Sequence, residues 1–295
     1  VSVHPSYMID WQAVPLVRMP GGNRYYYLAG KGCKGKCKFC LTSWAMPHVT
    51  AEPGRIAAVT RMLQGGTINL VSNDSDSQAC DMRLSSRSVR VADYLKDPTR
   101  YRATMIHFGV EGWTEAARAA MSKPISDADV VRLFDTTAKH KQRSELFFIV
   151  GYPGFKPRDI DDFADNVLAP GAQGTPSCHI KPTYFDPCPH TPWGNEPVGM
   201  EYVDTKDLFR KLNCRNKRVR VFPTRSQARS AWRTVLHRCT PEQAMELGKC
   251  PTDSNNAASM MRFRSLLSCR GLLELMGRQT GNVNDIIKTE IKLYA

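Results

Sequence analysis

Arg24-Tyr25-Tyr26-Tyr27-Leu28-Ala29-Gly30-Lys31-Gly32-Cys33-Lys34-Gly35-Lys36-Cys37-Lys38-Phe39-Cys40 is the stretch on which the reading of this chain turns. Arg24 to Ala29 predicts a strand, and the loop directly after it carries three cysteines spaced C-x3-C-x2-C. A structural zinc site takes four tetrahedral ligands, usually from two separated pairs. Three thiolates packed between Cys33 and Cys40 instead suit three corners of a cubane [4Fe–4S] cluster, with the fourth iron left open for a ligand. Lys31, Lys34, Lys36 and Lys38 and the backbone amides of the loop would stabilise such thiolates. A zinc knuckle borrowing a ligand from elsewhere, or coincidence among the 10 cysteines of the chain, stays open at this level.

Outward from that loop, strand and helix patterns alternate. Before it, Pro5, Pro15, Pro20, Gly21 and Gly22 mark residues 1–23 as an irregular lead-in. After it, a helix opens at Pro53-Gly54 with Ile56, Val59, Met62 and Leu63 at helical spacing, and Gly65-Gly66 stops it. Thr67 to Ser72 reads as a strand, Leu84 to Val91 as a short one and Met105 to Val110 as a better one. Helices follow over Thr114 to Met121 and, capped by Ser126, over Asp127 to His140. Leu146 to Val150 is a buried strand, Asp159 to Leu168 a helix, and His179 to Phe185 the last strand of the series. Strands alternating with helices predict parallel βαβ units. Six of them are too few for a closed eight-stranded barrel, so the expected fold is α/β, a partial (β/α)6 TIM-like barrel over residues 24–195 with a helical, basic C-terminal extension over 196–295.

The composition narrows the classes. With 295 residues, 42% hydrophobic and 23% charged, the chain has the balance of a globular protein with a real core. Its longest apolar run, Leu146 to Val150, is far below the ~20 residues a membrane-spanning helix needs. No basic segment followed by an apolar stretch opens the chain, so a cytoplasmic location is expected, although the first residue is Val. The formal net charge of +13 favours a polyanionic partner. Ten of those charges fall between Lys206 and Arg238, where eleven Lys and Arg stand against the single acid Asp207.

Downstream motifs then carry a resemblance. The C-x3-C-x2-C loop, with aromatic Phe39 before its last cysteine, resembles the hallmark of the radical S-adenosylmethionine enzymes. Asn69 to Ser75 and Ser85 to Leu95 are similar to that family's second- and third-strand segments. Gly109-Val110-Glu111-Gly112-Trp113-Thr114-Glu115 with Arg118 and Lys123-Pro124-Ile125 resembles its fourth-strand motif, departing from it at Trp113 and Thr114. Phe147 to Gly154 looks like its fifth strand and turn, and Pro187 to Gly194 like its sixth. The match covers residues 24 to 240 in order and is closest to the cobalamin-binding and methylthiotransferase-like subgroup. Only 32 residues precede Cys33, no D-x-H-x-x-G motif occurs, and no second cysteine trio stands upstream; a member without the cobalamin domain is expected.

The resemblance implies a [4Fe–4S] cluster on Cys33, Cys37 and Cys40. It also implies S-adenosylmethionine bound to the open iron and cleaved reductively to a 5′-deoxyadenosyl radical. It places Glu111 and Thr114 at the methionine or ribose part, Arg118 on the carboxylate, Ile149, Val150 and Gly151 against the adenine with Phe39 beside them, and Asn73 in the same cofactor site. Taken alone, Glu111 and Arg118 read equally as a surface ion pair and Ile149 and Val150 as plain core. Cys188 and Tyr184, at the end of the last strand, are candidate hydrogen-atom donors to a substrate radical. The other cysteines are scattered and expected to be inert buried thiols; an auxiliary cluster on Cys214, Cys239, Cys250 and Cys269 is the alternative. The expected substrate is a nucleic acid or nucleotide, since the basic segment with Phe222 and Trp232 could track phosphates. A small-molecule or peptide substrate, or a non-catalytic Fe–S or zinc nucleic-acid-binding module, are the alternatives. A reductant protein such as flavodoxin or ferredoxin is the expected partner.

Overall fold

The computed structural model describes residues 10, 12–18, 20, 24–45, 47–62, 67–71, 88–101, 103–169 and 178–197, and beyond them 212, 219–222, 234, 238–242 and 245. Strands β1 (Val17–Arg18), β2 (Arg24–Leu28) and β5 (Thr67–Val71) form one sheet, in which β2 and β5 run parallel. Strands β3 (Gly30–Lys31) and β4 (Val49–Thr50) make a short antiparallel ribbon that brackets the cysteine loop. The main sheet has five strands, β6 (Ser88–Val89), β7 (Met105–Glu111), β8 (Arg143–Val150), β9 (Cys178–Tyr184) and β10 (Val219–Val221). They lie side by side in chain order and every neighbouring pair is parallel. Parallel neighbours need crossover connections, and helices supply them: α1 (Leu41–Ala45) and α2 (Pro53–Arg61) before β5, α3 (Val91–Lys96) before β7, α4 (Glu115–Ala120) and α5 (Asp127–Lys139) before β8, and α6 (Arg158–Phe163), continued by a π-helical turn over Ala164–Leu168, before β9. The α/β class and the parallel, chain-ordered progression are those read from the sequence.

Strand alternation gives the main sheet two chemically different faces. Ile106, Phe108 and Val110 of β7, Leu146, Phe148 and Val150 of β8, and Cys178 and Ile180 of β9 are buried in the core. They share that core with Val130, Leu133 and Phe134 of α5, which follow the helical i, i+3, i+4 spacing. Trp113 stacks on Phe148 with centroids 4.2 Å apart, and Phe163 meets both edge-on. The opposite face carries His107, Gly109, Glu111, Glu145, Phe147, His179 and Lys181, positions that alternate with the core residues.

Residues 17–18 of the expected irregular lead-in pair with β2 as β1, and two further differences from the sequence reading have local causes. Strand β8 starts at Arg143 rather than Leu146, because the polar Ser144 and Glu145 interrupt an apolar run without interrupting the ladder to β9. The sheet also continues past residue 195. Val219 and Val221 align with Cys178 and Ile180, a three-residue strand hidden in the run of Lys and Arg. The rest of the expected helical extension lies outside the described residues, apart from isolated positions.

Candidate functional site

The cysteine loop is held in place by its backbone. The Lys38 amide donates to the Met121 carbonyl at the end of α4 (3.1 Å), and the Lys38 carbonyl accepts from the Trp193 amide (3.1 Å). Gly32, with φ +70°, passes against the Pro47 carbonyl where a Cβ would clash, so glycine is required at that turn. Trp44 Nε1 donates to the Cys37 carbonyl (2.9 Å), and Lys36 Nζ sits 5.1 Å over the same indole.

Cys33, Cys37 and Cys40 line one cavity of ≈ 460 Å³ together with Phe39, Arg90, His107, Glu111, Lys123 and Phe147. The cavity lies toward the C-terminal ends of the parallel strands, where α/β sheets take their ligands. Cys33 Sγ accepts from the Gly35 amide (3.3 Å) and from Arg90 Nη2 (3.3 Å). Burial pushes the Cys37 thiol up, the Lys123 ammonium opposes that, and Cys40, Glu111 and Cys33 add to it. Among the described residues no three His, Cys, Asp or Glu side chains converge on a point that a single metal ion could occupy. Three thiols from one loop, with a guanidinium donating to one and an ammonium acting on another, are a donor set that fits a thiolate-held iron–sulfur cluster.

Glu111 ends β7 in an unusual way. Its φ is +70°, the left-handed region that non-glycine residues rarely adopt, and the ladder to β8 shifts between Gly109 and Glu111. The bulge turns the carboxylate onto the cavity wall, where Oε1 accepts from Lys123 Nζ at 3.0 Å. Gly109 leaves the space that Glu111 Oε1 and Lys123 Nζ use; a Cβ there would meet both. Strain of this kind persists where the surroundings enforce it, and it clusters at functional sites.

Several expected ligand positions have other tasks in the structure. Arg118 is wholly buried: Nε donates to the Ile125 carbonyl (2.7 Å), Nη1 to the Gly112 carbonyl (3.2 Å) and Nη2 to Asp127 Oδ1. Its fork clamps the turn between α4 and α5. Thr114 is the N-cap of α4, with Oγ1 accepting from the Ala117 amide (3.1 Å). Ile149 and Val150 are buried, and the Ile149 carbonyl accepts from Trp113 Nε1 (3.0 Å). Gly151 turns the chain with φ +71°. None of these five is among the residues lining the thiol cavity, whereas Phe39 and Glu111 are. Tyr184 ends β9, and Cys188 lies in the turn whose Trp193 docks on Lys38; neither lines the cavity. Asn73 lies outside the described residues, as do Cys80, Cys214, Cys250 and Cys269. Of the cysteines expected to be buried, Cys178 is, with its thiol pushed up to about 12 by burial, whereas Cys188 and Cys239 are only half-buried.

Sequence reasoning missed Arg90, Lys123, His107 and Phe147. Arg90, Lys123 and Phe147 sit inside quoted motifs, but only the folded chain shows which side chains of a motif face the cavity.

The fold and the site together define an α/β protein with a parallel sheet and a thiol-lined cavity near the ends of its strands. No family model matches the chain and no curated protein matches it. Among solved structures it is similar to the radical S-adenosylmethionine methyltransferase TsrM from Kitasatospora setae, determined with cobalamin and a [4Fe–4S] cluster bound, with TM-score 0.46 and 14% identity. The alignment covers 58% of this chain and 36% of that one, so the match spans little more than a third of that enzyme's length. The functional reading rests on the residues of the site.

Proposed function

We propose that the chain is a radical S-adenosylmethionine enzyme. The observation that carries this reading is the convergence of Cys33, Cys37 and Cys40 with the strained Glu111 on one cavity at the strand ends. Cys33, Cys37 and Cys40 would hold a [4Fe–4S] cluster, which when bound supplies the electron that cleaves S-adenosylmethionine to methionine and a 5′-deoxyadenosyl radical. Arg90 and the Gly35 amide donate to Cys33 and hold its sulfur. Glu111, kept in place by Lys123, offers a carboxylate to the ammonium of the methionine moiety. Phe39 and Phe147 give the cavity apolar walls that exclude water from a radical. With Arg118 locked inside the fold, Arg90 is the guanidinium on this cavity wall, and it takes over the role of facing a ligand carboxylate.

The substrate class we propose is a nucleic acid or nucleotide, supported by the ten net positive charges between Lys206 and Arg238. An electron donor such as flavodoxin or ferredoxin and a reducing, cytoplasmic compartment fit a thiol-borne cluster; no helix among the described residues is long and apolar enough to cross a membrane. A small-molecule or peptide substrate is the second reading.

The test is oxygen-free reconstitution with iron and sulfide, reduction with dithionite, and assay for 5′-deoxyadenosine after adding S-adenosylmethionine. Product that disappears in Cys33→Ala, Cys37→Ala and Cys40→Ala is expected. Stoichiometric zinc with no iron–sulfur absorbance would replace this reading with a zinc-binding module.

A further inference from the structure

Five strands contribute one rung of side chains to the polar face of the main sheet. The register sets Ser88 beside His107, His107 beside Glu145, Glu145 beside His179, and His179 beside Arg220. Glu145, 3% exposed, is the centre of the rung. Lys181 Nζ lies 2.9 Å from its Oε2, His107 Nε2 3.3 Å from its Oε1 and His179 Nδ1 3.9 Å from its Oε2. The carboxylate is closed off from solvent while all three nitrogen-bearing side chains remain partly open to it. What a solute meets is therefore three nitrogen-bearing side chains with a buried carboxylate behind them, whose Oε1 has no hydrogen-bond partner among the described residues. His107 also lines the thiol cavity, and Phe147 packs edge-on to it at 5.9 Å, so rung and cavity are continuous.

We propose that this rung binds an oxyanionic group of the substrate, phosphate or carboxylate, through His107, His179 and Lys181, with the buried Glu145 carboxylate behind them as the negative charge that the anion competes with. The proposal rests on the cavity being the reaction site, and it makes the substrate an acidic small molecule or a nucleotide whose anion is seated deeper than the cysteine loop. Electrostatics favour the same ligand. Burial lowers the His179 pKa; Glu145 raises it, and Arg143, Arg220 and Lys181 lower it. An anion seated among these cations opposes the part of that lowering which Arg143, Arg220 and Lys181 cause.

Histidine-selective NMR of the full chain near pH 6.5, titrated separately with inorganic phosphate, acetate and chloride, tests this directly. Saturable shifts of the His107 and His179 signals are expected, with affinity at least tenfold weaker in His179→Gln and stronger in Glu145→Gln. Lys181→Met strips Glu145 of its nearest partner, so the Glu145→Gln/Lys181→Met double variant is the folded companion in which weak binding is expected. Saturation by phosphate alone names a phosphate group, and saturation by acetate alone names a carboxylate. Shifts that grow linearly and match chloride mean an adventitious ion only and overturn the proposal, as does saturation by Zn2+ in place of either anion. Oxyanion binding by protein that never cleaves S-adenosylmethionine would leave the rung standing and remove the reaction class; cleavage without oxyanion binding would do the reverse.

Discussion

Glu111 combines a strained backbone with a place on the cavity wall. A left-handed backbone costs an ordinary residue about 1 kcal/mol or more relative to glycine. Glu111→Gly and Glu111→Ala both lose the carboxylate, yet the glycine variant should be the more stable by about 1 kcal/mol in urea titrations, and both should bind S-adenosylmethionine more weakly than wild type. Equal midpoints would mean the backbone relaxes freely. His179 gives a pH prediction. Because burial holds its folded-state pKa below the ordinary 6.5, the unfolded chain takes up a proton first as pH falls. The contribution of His179 to stability is intact above 6.5 and declines below it, down to the lowered folded value. The thermal midpoint of His179→Gln should accordingly fall less than that of wild type between about pH 7 and 5.5. At this scale the sequence was only partly legible. The cysteine trio, Phe39 and Glu111, which the motifs singled out, line one cavity, but the bond of Arg118 to Asp127 was not legible, because the two become adjacent only after the chain turns at Ile125. His107 gave no signal at all: a lone histidine in an apolar strand has no motif, and its meaning comes from the strand beside it.

Elements were more legible, because their signals are local. Ser126 and Asp129 form a reciprocal capping box at the start of α5, and its buried stripe follows the helical period. Ser126→Ala should cost about 1 kcal/mol, read as a lowered denaturation midpoint with unchanged slope. Where element reading failed, the failures share a cause. Glu145 is a buried polar residue and Arg220 an exposed one, so hydropathy places both outside the strand when register places them inside. The start of β8 and the whole of β10 were lost in that way. The polar rung is thus the feature that concealed these strands from sequence reading.

For the whole molecule, the uneven charge sets the most direct expectation. If the segment from Lys206 to Arg238 engages phosphates, the logarithm of the polynucleotide binding constant should fall linearly with the logarithm of salt concentration, by about 0.7–0.9 for each phosphate neutralised. A filter-binding or anisotropy series between about 50 and 200 mM salt measures it; a flat response would favour an acidic protein partner or a small substrate. The order of the sheet was readable from alternating strands and helices, since parallel neighbours in chain order follow from short crossovers.

The two backbone bonds of Lys38 also bear on the order of assembly. One reaches Met121 and the other Trp193, both far along the chain, so the thiol-bearing loop reaches its final shape only after most of the sheet has been synthesised and closed. Contacts this distant in sequence form late and slowly. A ribosome-bound chain therefore presents its three thiols on an unsettled loop until the turn that carries Trp193 has emerged, and on the proposed reading iron and sulfide would be taken up only after the chain has grown past residue 193 of its 295.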